Sequence, residues 1–502
     1  MKKYILNIVL LISILSCTEG LEPEIYGSLT PLNFPQTESD YELYMLDVYK
    51  PFTSKWSFSD GGISHPLFWG YDKSDVMLND SPTDLMAVSG HQSNFKELSN
   101  ANFAVLKFEG TSSHIEKIRF ITKITQIIDN LNEAATISEG AKNQFIAEAR
   151  AARGILMYHL LTLYGPVPVI LDASEIGTEV EKDLTRPERS TYVGYIVEDL
   201  NFAANNLEKS PAEYGRFNKG LALTYLMRTY LNEKDWANAE GIGREIQGMG
   251  YSLVTDYRSL FVPETERNTE TIYAISTDVS ANGSGALGNM NAYTWYEYPS
   301  DFPGINQQGG WLSPNGFWPA NWKFYDSFDP LDKRRELLIP EYIAINSRGG
   351  VPAGGIRDRS NMSGPVFMKY PDVESSSFAH GNDIPLARFA DVMLMLAEAI
   401  NNQDGPTSEA ISLVNEVRTK HGGIDNLSAS ATASKEAFND AILQERAWDL
   451  YFEGYRRVDL IRFGKWEEAL QSVGKPVGPA LFPIPEYKIA QSNGTLSQTT
   501  GY

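Results

Sequence analysis

The run from Gln444 to Gly464 places ionisable side chains where a helix would carry its apolar stripe. Stepping 100° per residue from Phe438 puts Ile442, Glu445, Asp449 and Phe452 on one face, so two carboxylates interrupt a hydrophobic surface. Two chemistries fit such a pair: general acid–base catalysis, or a buried ion-pair network that fixes the angle between helices. An ionised carboxylate in a core demands a partner, and Arg446, Arg456, Arg457 and Arg462 are the donors nearest in sequence. The surrounding residues imply no cleft. The spacing therefore favours a structural network of Glu445, Arg446, Asp449, Arg456 and Arg457 over a catalytic pair. Gly454 is the expected helix stop that lets the chain fold back and present the arginines.

A second group of residues suits recognition without reaction. Four of the nine tryptophans, Trp295, Trp311, Trp318 and Trp322, fall in one Gly-, Asn- and Pro-rich stretch, interleaved with tyrosines and phenylalanines. An aromatic face matches the C–H face of a sugar ring, and neighbouring amides hydrogen-bond its hydroxyls. Trp295, Tyr296, Trp311, Asn315 and Trp318 are the candidate ligand contacts, with Trp69 and Tyr71 in a second aromatic loop. The competing reading is that these rings pack the loops onto helices, which is the expectation for Trp322, Phe324 and Tyr325.

Other chemistries lack their signatures. Gly283-Ser-Gly285-Ala-Leu-Gly288 fits G-x-G-x-x-G as a string, but no helix pattern follows it, so dinucleotide binding is rejected. The six histidines have no zinc spacing, and no P-loop or G-x-S-x-G elbow occurs. Asp72, Asp75 and Asp80 lack the EF-hand pattern and read as a solvated loop. No cofactor or metal is expected. A net charge of −21 argues against a nucleic-acid partner, because phosphate binding rests on Lys and Arg. The same charge favours neutral glycans over sulfated or uronic ones.

The elements that must position these residues are mostly helical. Ile115, Ile118, Ile121, Ile124, Ile128 and Leu131 share a face, and a helix from Phe145 ends at Tyr164 before Gly165-Pro166. Further helices are expected at Tyr192–Leu207, Lys219–Leu231 and Trp236–Ile246. A second helical block runs from Pro385 to about Leu470, broken at Asn401–Gly405, Gly422-Gly423 and Gly454. Asp235-Trp-Ala-Asn-Ala-Glu240 after a helix and a short turn is similar to the paired helices of tetratricopeptide repeats, in degenerate form. Between the blocks only Thr271–Ile275 alternates like a strand.

The N-terminus reads as an export signal. Lys2 and Lys3 precede an apolar run from Tyr4 to Leu15, and Ser16 stands before Cys17, the only cysteine. Ile14-Leu-Ser-Cys17 resembles the bacterial lipobox, and Glu19, Glu22 and Glu24 resemble the signal that sends lipoproteins to the surface in Bacteroidetes. An incidental cysteine behind a simple signal peptide is the alternative. No later apolar run is long enough to span a bilayer.

Four motifs together carry a family resemblance. Arg446, Leu450, Phe452-Glu453-Gly454, Arg456 or Arg457, Asp459-Leu460 and Arg462-Phe463-Gly464 resemble the signature R-x-x-E-L-x-F-E-G-x-R-x-x-D-L-x-R-W-G of the SusD/RagB family of Bacteroidetes nutrient-binding lipoproteins. Asp449 replaces its usual Glu and Phe463 its usual Trp. Ala147-Glu-Ala-Arg-Ala-Ala-Arg153 with Tyr164-Gly-Pro-Val-Pro168, Arg388-Phe-Ala-Asp391 leading to Glu398, and Phe482-Pro-Ile-Pro485 with Gly501-Tyr502 are similar to further family motifs. The resemblance implies a mainly α fold, a right-handed scaffold of degenerate tetratricopeptide-like helix pairs with a loop-rich, aromatic-rich region carrying short strands. It implies a signal peptide at 1–16, a lipidated tether at 17–39, helical parts at 40–250 and 385–502, and a ligand-binding region at 251–384. It further implies a non-enzymatic glycan-binding protein on the outer membrane, anchored at Cys17 and facing the cell exterior. Its partner would be a SusC-like TonB-dependent transporter. A secreted glycoside hydrolase, which needs two carboxylates flanking a sugar, and a peptide-binding family member are the alternatives.

Overall fold

The computed structural model describes residues 34–54, 59–60, 63–64, 74–90, 93–277, 291, 293, 297–304, 317–371 and 380–502. Its architecture is mainly α. Helix α1 (Lys117–Glu133) packs on α2 (Glu139–Tyr164), α2 on α3 (Arg189–Asn206), α3 on α4 (Lys219–Asn232) and α4 on α5 (Trp236–Gln247). The stack then continues across a gap of more than a hundred residues, as α5 packs on α6 (Phe389–Asp404), and α6 carries α7 (Ser408–Val417) and α8 (Lys435–Leu450). Both helical blocks are thus one array. The helix boundaries follow local chemistry: Ser138, Asn218, Asp235, Thr407 and Ser434 accept hydrogen bonds from first-turn amides. At the other end, α2 and α6 stop where Gly165 and Gly405 take positive φ.

Gly243 explains how α5 and α6 approach so closely. A Cβ there would lie 2.7 Å from the Met227 methyl and 3.1 Å from a Leu396 methyl. The intervening segment is tied at its base by strand β1 (Thr271–Ile275), which pairs antiparallel with β2 (Ile384–Arg388) in the register Ile275 opposite Ile384 and Thr271 opposite Arg388. Strand β2 runs straight into α6, so Arg388 sits at a strand–helix junction. Leu338–Ile339 pairs with Val366–Phe367 and Tyr342–Ile343 with Ile356–Arg357, so short ribbons supplement the loops of this segment.

The charged run folds differently from expectation at one point. Helix α8 ends at Leu450, four residues before Gly454, and the reversal into α9 (Arg456–Arg462) uses Phe452 at φ 59° as well as Gly454 at φ 85°. Phe452 therefore leaves the helical face. Gly454 is required by crowding in addition to its φ, since a Cβ would lie 2.4 Å from that of Asp75. Asp75 and Asp80 are buried, which corrects the solvated-loop reading: Asp80 accepts from the Gly454 and Arg456 amides at 2.8 and 3.0 Å and so caps the turn. Among the described residues, no helix is long and apolar enough to cross a membrane.

Candidate functional site

Glu445 and Asp449 lie on the inward face of α8, wholly buried. Their partners are remote in sequence. Arg334 donates to Glu445 at 2.6 Å and to Asp449 at 3.3 Å, while its remaining donors hold Asp332 at 2.7 and 3.0 Å. Arg388 reaches Asp449 at 3.0 Å, Glu270 at 2.8 Å and Glu453 at 2.7 and 2.9 Å. Lys369 donates to Glu453 at 2.7 Å, and Arg418 to Glu445 at 3.1 Å. This corrects the expectation that Arg446, Arg456, Arg457 and Arg462 serve these two carboxylates. Those arginines face other partners: Arg446 grips Asp459 and Asp391, Arg462 grips Glu398, and Arg456 grips Asp84. Arg457 bonds three neutral acceptors, Asn79 and the carbonyls of Ala480 and Thr162, and burial pulls it down to about 10.

His421 completes the arrangement. Its Nδ1 lies 2.6 Å from Asp449 and its Nε2 2.9 Å from Glu270. Both neighbours are carboxylate oxygens, so both nitrogens must donate and the ring is an imidazolium. The charges agree: among the described residues Glu270, Asp332, Glu445, Asp449 and Glu453 face four other cations, Arg334, Arg388, Arg418 and Lys369. Burial opposes the charge on His421, but Glu270 and Asp449 outweigh it and push the ring up to about 9. Asp449 is held well below the usual carboxylate range, burial being overcome by the charges of His421 and Arg388.

A pH dependence follows. Because the folded pKa of His421 is raised above the unfolded value, its contribution is fully present below about pH 6.5 and is lost as pH rises through about 9; it is worth roughly 3 kcal/mol. Lys369, drawn down to about 8 by burial, acts in the opposite sense above that pH. The window for His421 is therefore pH 6.5–8, in which Asp80 and Lys475, both shifted to about 7, and Glu266, raised to about 8, also change charge and cancel only in a comparison with a variant. Over it, the urea midpoint of the wild type is expected to fall relative to that of His421→Gln; parallel curves would show that the ring is neutral.

The remaining motifs are clamps of the same kind. Arg153 holds Asp199 through two bonds of 2.7 and 2.8 Å, tying α2 to α3, and Arg228 from α4 meets Asp391 of α6 at 2.8 Å. Glu453 and Asp459 line a cavity of about 30 Å³, which has room for a water molecule and none for a sugar ring.

Six of the candidate ligand contacts, Trp69, Tyr71, Trp295, Tyr296, Trp311 and Asn315, lie outside the described residues, as does Cys17. Trp318 is described and is 1% exposed, so it offers no face to a ligand, contrary to expectation. The backbone explains its inward turn. Pro319 accepts from the Ala87 amide at 3.0 Å, Ala320 donates to Pro365 at 2.9 Å, and Asn321 donates to Leu85 at 2.8 Å, clamping the segment on both sides. The ring of Trp318 packs beside Phe95 and Phe452. Tyr293, Tyr298, Phe302 and Phe317 are buried as well, so the described aromatics here form a floor.

Comparison with known proteins agrees with these features. The sequence model of the SusD family matches residues 334–482, the stretch that holds Arg334, Arg388, His421 and the charged helix. SusD-like protein P25 of Formosa agariphila is 25% identical over 93% of this chain and 91% of its own length. The starch-binding protein SusD of Bacteroides thetaiotaomicron is 23% identical over 77% of this chain and 78% of its own. Among solved structures, surface glycan-binding protein A of Bacteroides thetaiotaomicron, in complex with laminarihexaose, superposes with a TM-score of 0.74 at 19% identity, covering 93% of this chain and all of that one. The family's sequence model over residues 334–482, the relatives that align along most of the chain and the shared tetratricopeptide-like helical fold support membership of the SusD/RagB family.

Proposed function

We propose that this chain is a glycan-binding lipoprotein of the cell surface that captures oligosaccharides and passes them, chemically unchanged, to a SusC-like TonB-dependent transporter. The observation that carries the reading is the fold shared, over 93% of the chain, with a glycan-binding protein solved with its hexasaccharide. The pairing of Glu445, Asp449 and Asp459 with arginines adds to it, since these three acids are not free to protonate a glycosidic bond. Affinity comes from Trp69, Tyr71, Trp295, Tyr296 and Trp311 stacking on sugar faces, with Asn315 bonding hydroxyls. It must be modest enough for release to the partner. Residues 1–16 act as the signal peptide, 17–39 as the tether and 251–384 as the ligand-binding region between the two helical parts.

Calorimetric titration of the full chain in detergent with an oligosaccharide panel that includes laminarihexaose and starch fragments tests the reading. Saccharide binding without new reducing ends supports it. New reducing ends would establish a hydrolase, and binding confined to peptides would establish the peptide-binding alternative. The anchor is tested separately: Cys17→Ser is expected to move the protein from the membrane fraction to the soluble one, because acyl chains on that thiol supply the attachment. Retention in the membrane fraction would exclude Cys17 as the anchor.

A further inference from the structure

Between the connection from α3 to α4 and the residues that lead into β1 lies a cleft of about 400 Å³. Three tyrosines line it, of which Tyr273 is buried and Tyr214 and Tyr251 present their rings. Tyr214 is 45% exposed, an unusual position for a large ring, and it is held rigidly there: its hydroxyl donates to Asp383 at 2.7 Å and the guanidinium of Arg267 stands 3.9 Å from the ring centroid. Tyr251 is half-buried, with the ammonium of Lys209 at 5.5 Å from its centroid.

The charge of the lining is opposite to that of the protein. Lys209, Arg216 and Arg267 face a single lining carboxylate, Glu213, in a chain of net charge −21. Arg216 is committed to Glu42 and Glu148. Lys209 is not, and Arg267 is only in part. No carboxylate among the described residues lies within 4.0 Å of the Lys209 ammonium, whose polar contact is the Met249 carbonyl. Arg267 has a side chain 54% exposed and donates to the Ser276 hydroxyl at 3.4 Å; its one carboxylate among the described residues, Asp383 at 3.6 Å, already accepts from Tyr214 and from the Thr277 amide. An ammonium and a guanidinium with spare donors, beside ring faces that suit C–H surfaces, match a saccharide that carries a carboxylate or a sulfate ester.

We propose that this cleft is an anion-selective glycan subsite, in which Lys209 and Arg267 hold the charged group of a uronic or sulfated sugar against Tyr214 and Tyr251. The proposal rests on the glycan-binding reading and sharpens it. Net charge favours neutral ligands, whereas the local charge of the cleft selects acidic ones, and the local field governs a bound group because distant charges are screened beyond about 8 Å in physiological salt.

Titration of the full chain in detergent with an oligoalginate, a sulfated carrageenan oligosaccharide and an uncharged laminarin oligosaccharide tests it. At least one charged probe is expected to bind more tightly than the uncharged one at low salt, with the difference shrinking as salt rises. Lys209→Gln and Arg267→Gln should each weaken that binding about tenfold at unchanged melting temperature, as loss of one charge-assisted contact implies. The alginate and carrageenan arms separate carboxylate from sulfate. If only the uncharged probe binds, or if both variants bind the charged probes like wild type, the subsite is refuted while glycan binding stands. If no saccharide of any class binds, both readings fall.

Discussion

Asp449→Ala is expected to destabilise the fold by about 3–5 kcal/mol, the cost of removing one partner from a buried charged network. The residue is wholly buried and answers Arg334, Arg388 and His421 together, so its loss leaves donors from three elements without their acceptor. His421 suffers most. With Glu270 alone to hold it, the ring loses much of the reason to stay charged, and the pH dependence of stability between 6.5 and 8 should flatten in this variant. A urea-unfolding series at pH 7 measures the first effect, and a midpoint within error of wild type would show that the network does not stabilise the fold.

Gly454→Ala is expected to cost roughly 4 kcal/mol, the strain of a positive φ added to overpacking. The new methyl would press within 2.4 Å of the Asp75 Cβ and 2.7 Å of its carbonyl carbon, and backbone cannot yield as a flexible side chain can. It would also disturb the turn whose amides are held by Asp80, a carboxyl that burial raises to about 7. Gly464→Ala is the control: φ there is +69°, yet nothing lies within 4 Å of the added Cβ. Its expected cost is the backbone strain alone, about 1 kcal/mol. Equal melting temperatures for the two variants would show that crowding against Asp75 is unimportant.

The helices were legible in sequence because their information is local. Apolar spacing at 3.6 residues, a capping Ser or Asn and a terminal Gly each act within a turn or two, so α4 and α5 lie where periodicity puts them and α2 ends at Tyr164 as expected, though it begins at Glu139, ahead of the apolar face that starts at Phe145. The buried role of Glu445 and Asp449 was legible for the same reason. Their partners were not. Asp449 finds Arg388 sixty-one positions away and Glu445 finds Arg334 at a separation of 111, and the pairing depends on how β2 and α6 are stacked beside α8. Arg388 did stand in a motif, which marked it as important without saying what it touches.

Trp318 shows a different limit. A tryptophan in a polar loop reads the same whether its ring faces solvent or the core, and here the decision belongs to backbone hydrogen bonds donated to the Leu85 and Pro365 carbonyls and accepted from the Ala87 amide. The lining of the cleft beside Tyr214 was invisible for a related reason. Lys209, Tyr214, Tyr251 and Arg267 come from two connections that periodicity treats as punctuation, and only the fold brings them together.

We propose a division of labour: buried ion pairs hold the array, and aromatic loops meet the glycan. Oligosaccharide affinity measured alongside melting temperature in Asp449→Asn and Trp311→Ala tests it most directly. The account predicts a lowered melting temperature with wild-type affinity in the folded fraction for Asp449→Asn, and the reverse for Trp311→Ala, affinity lost at an unchanged melting temperature. Intact stability with lost binding in Asp449→Asn would contradict it.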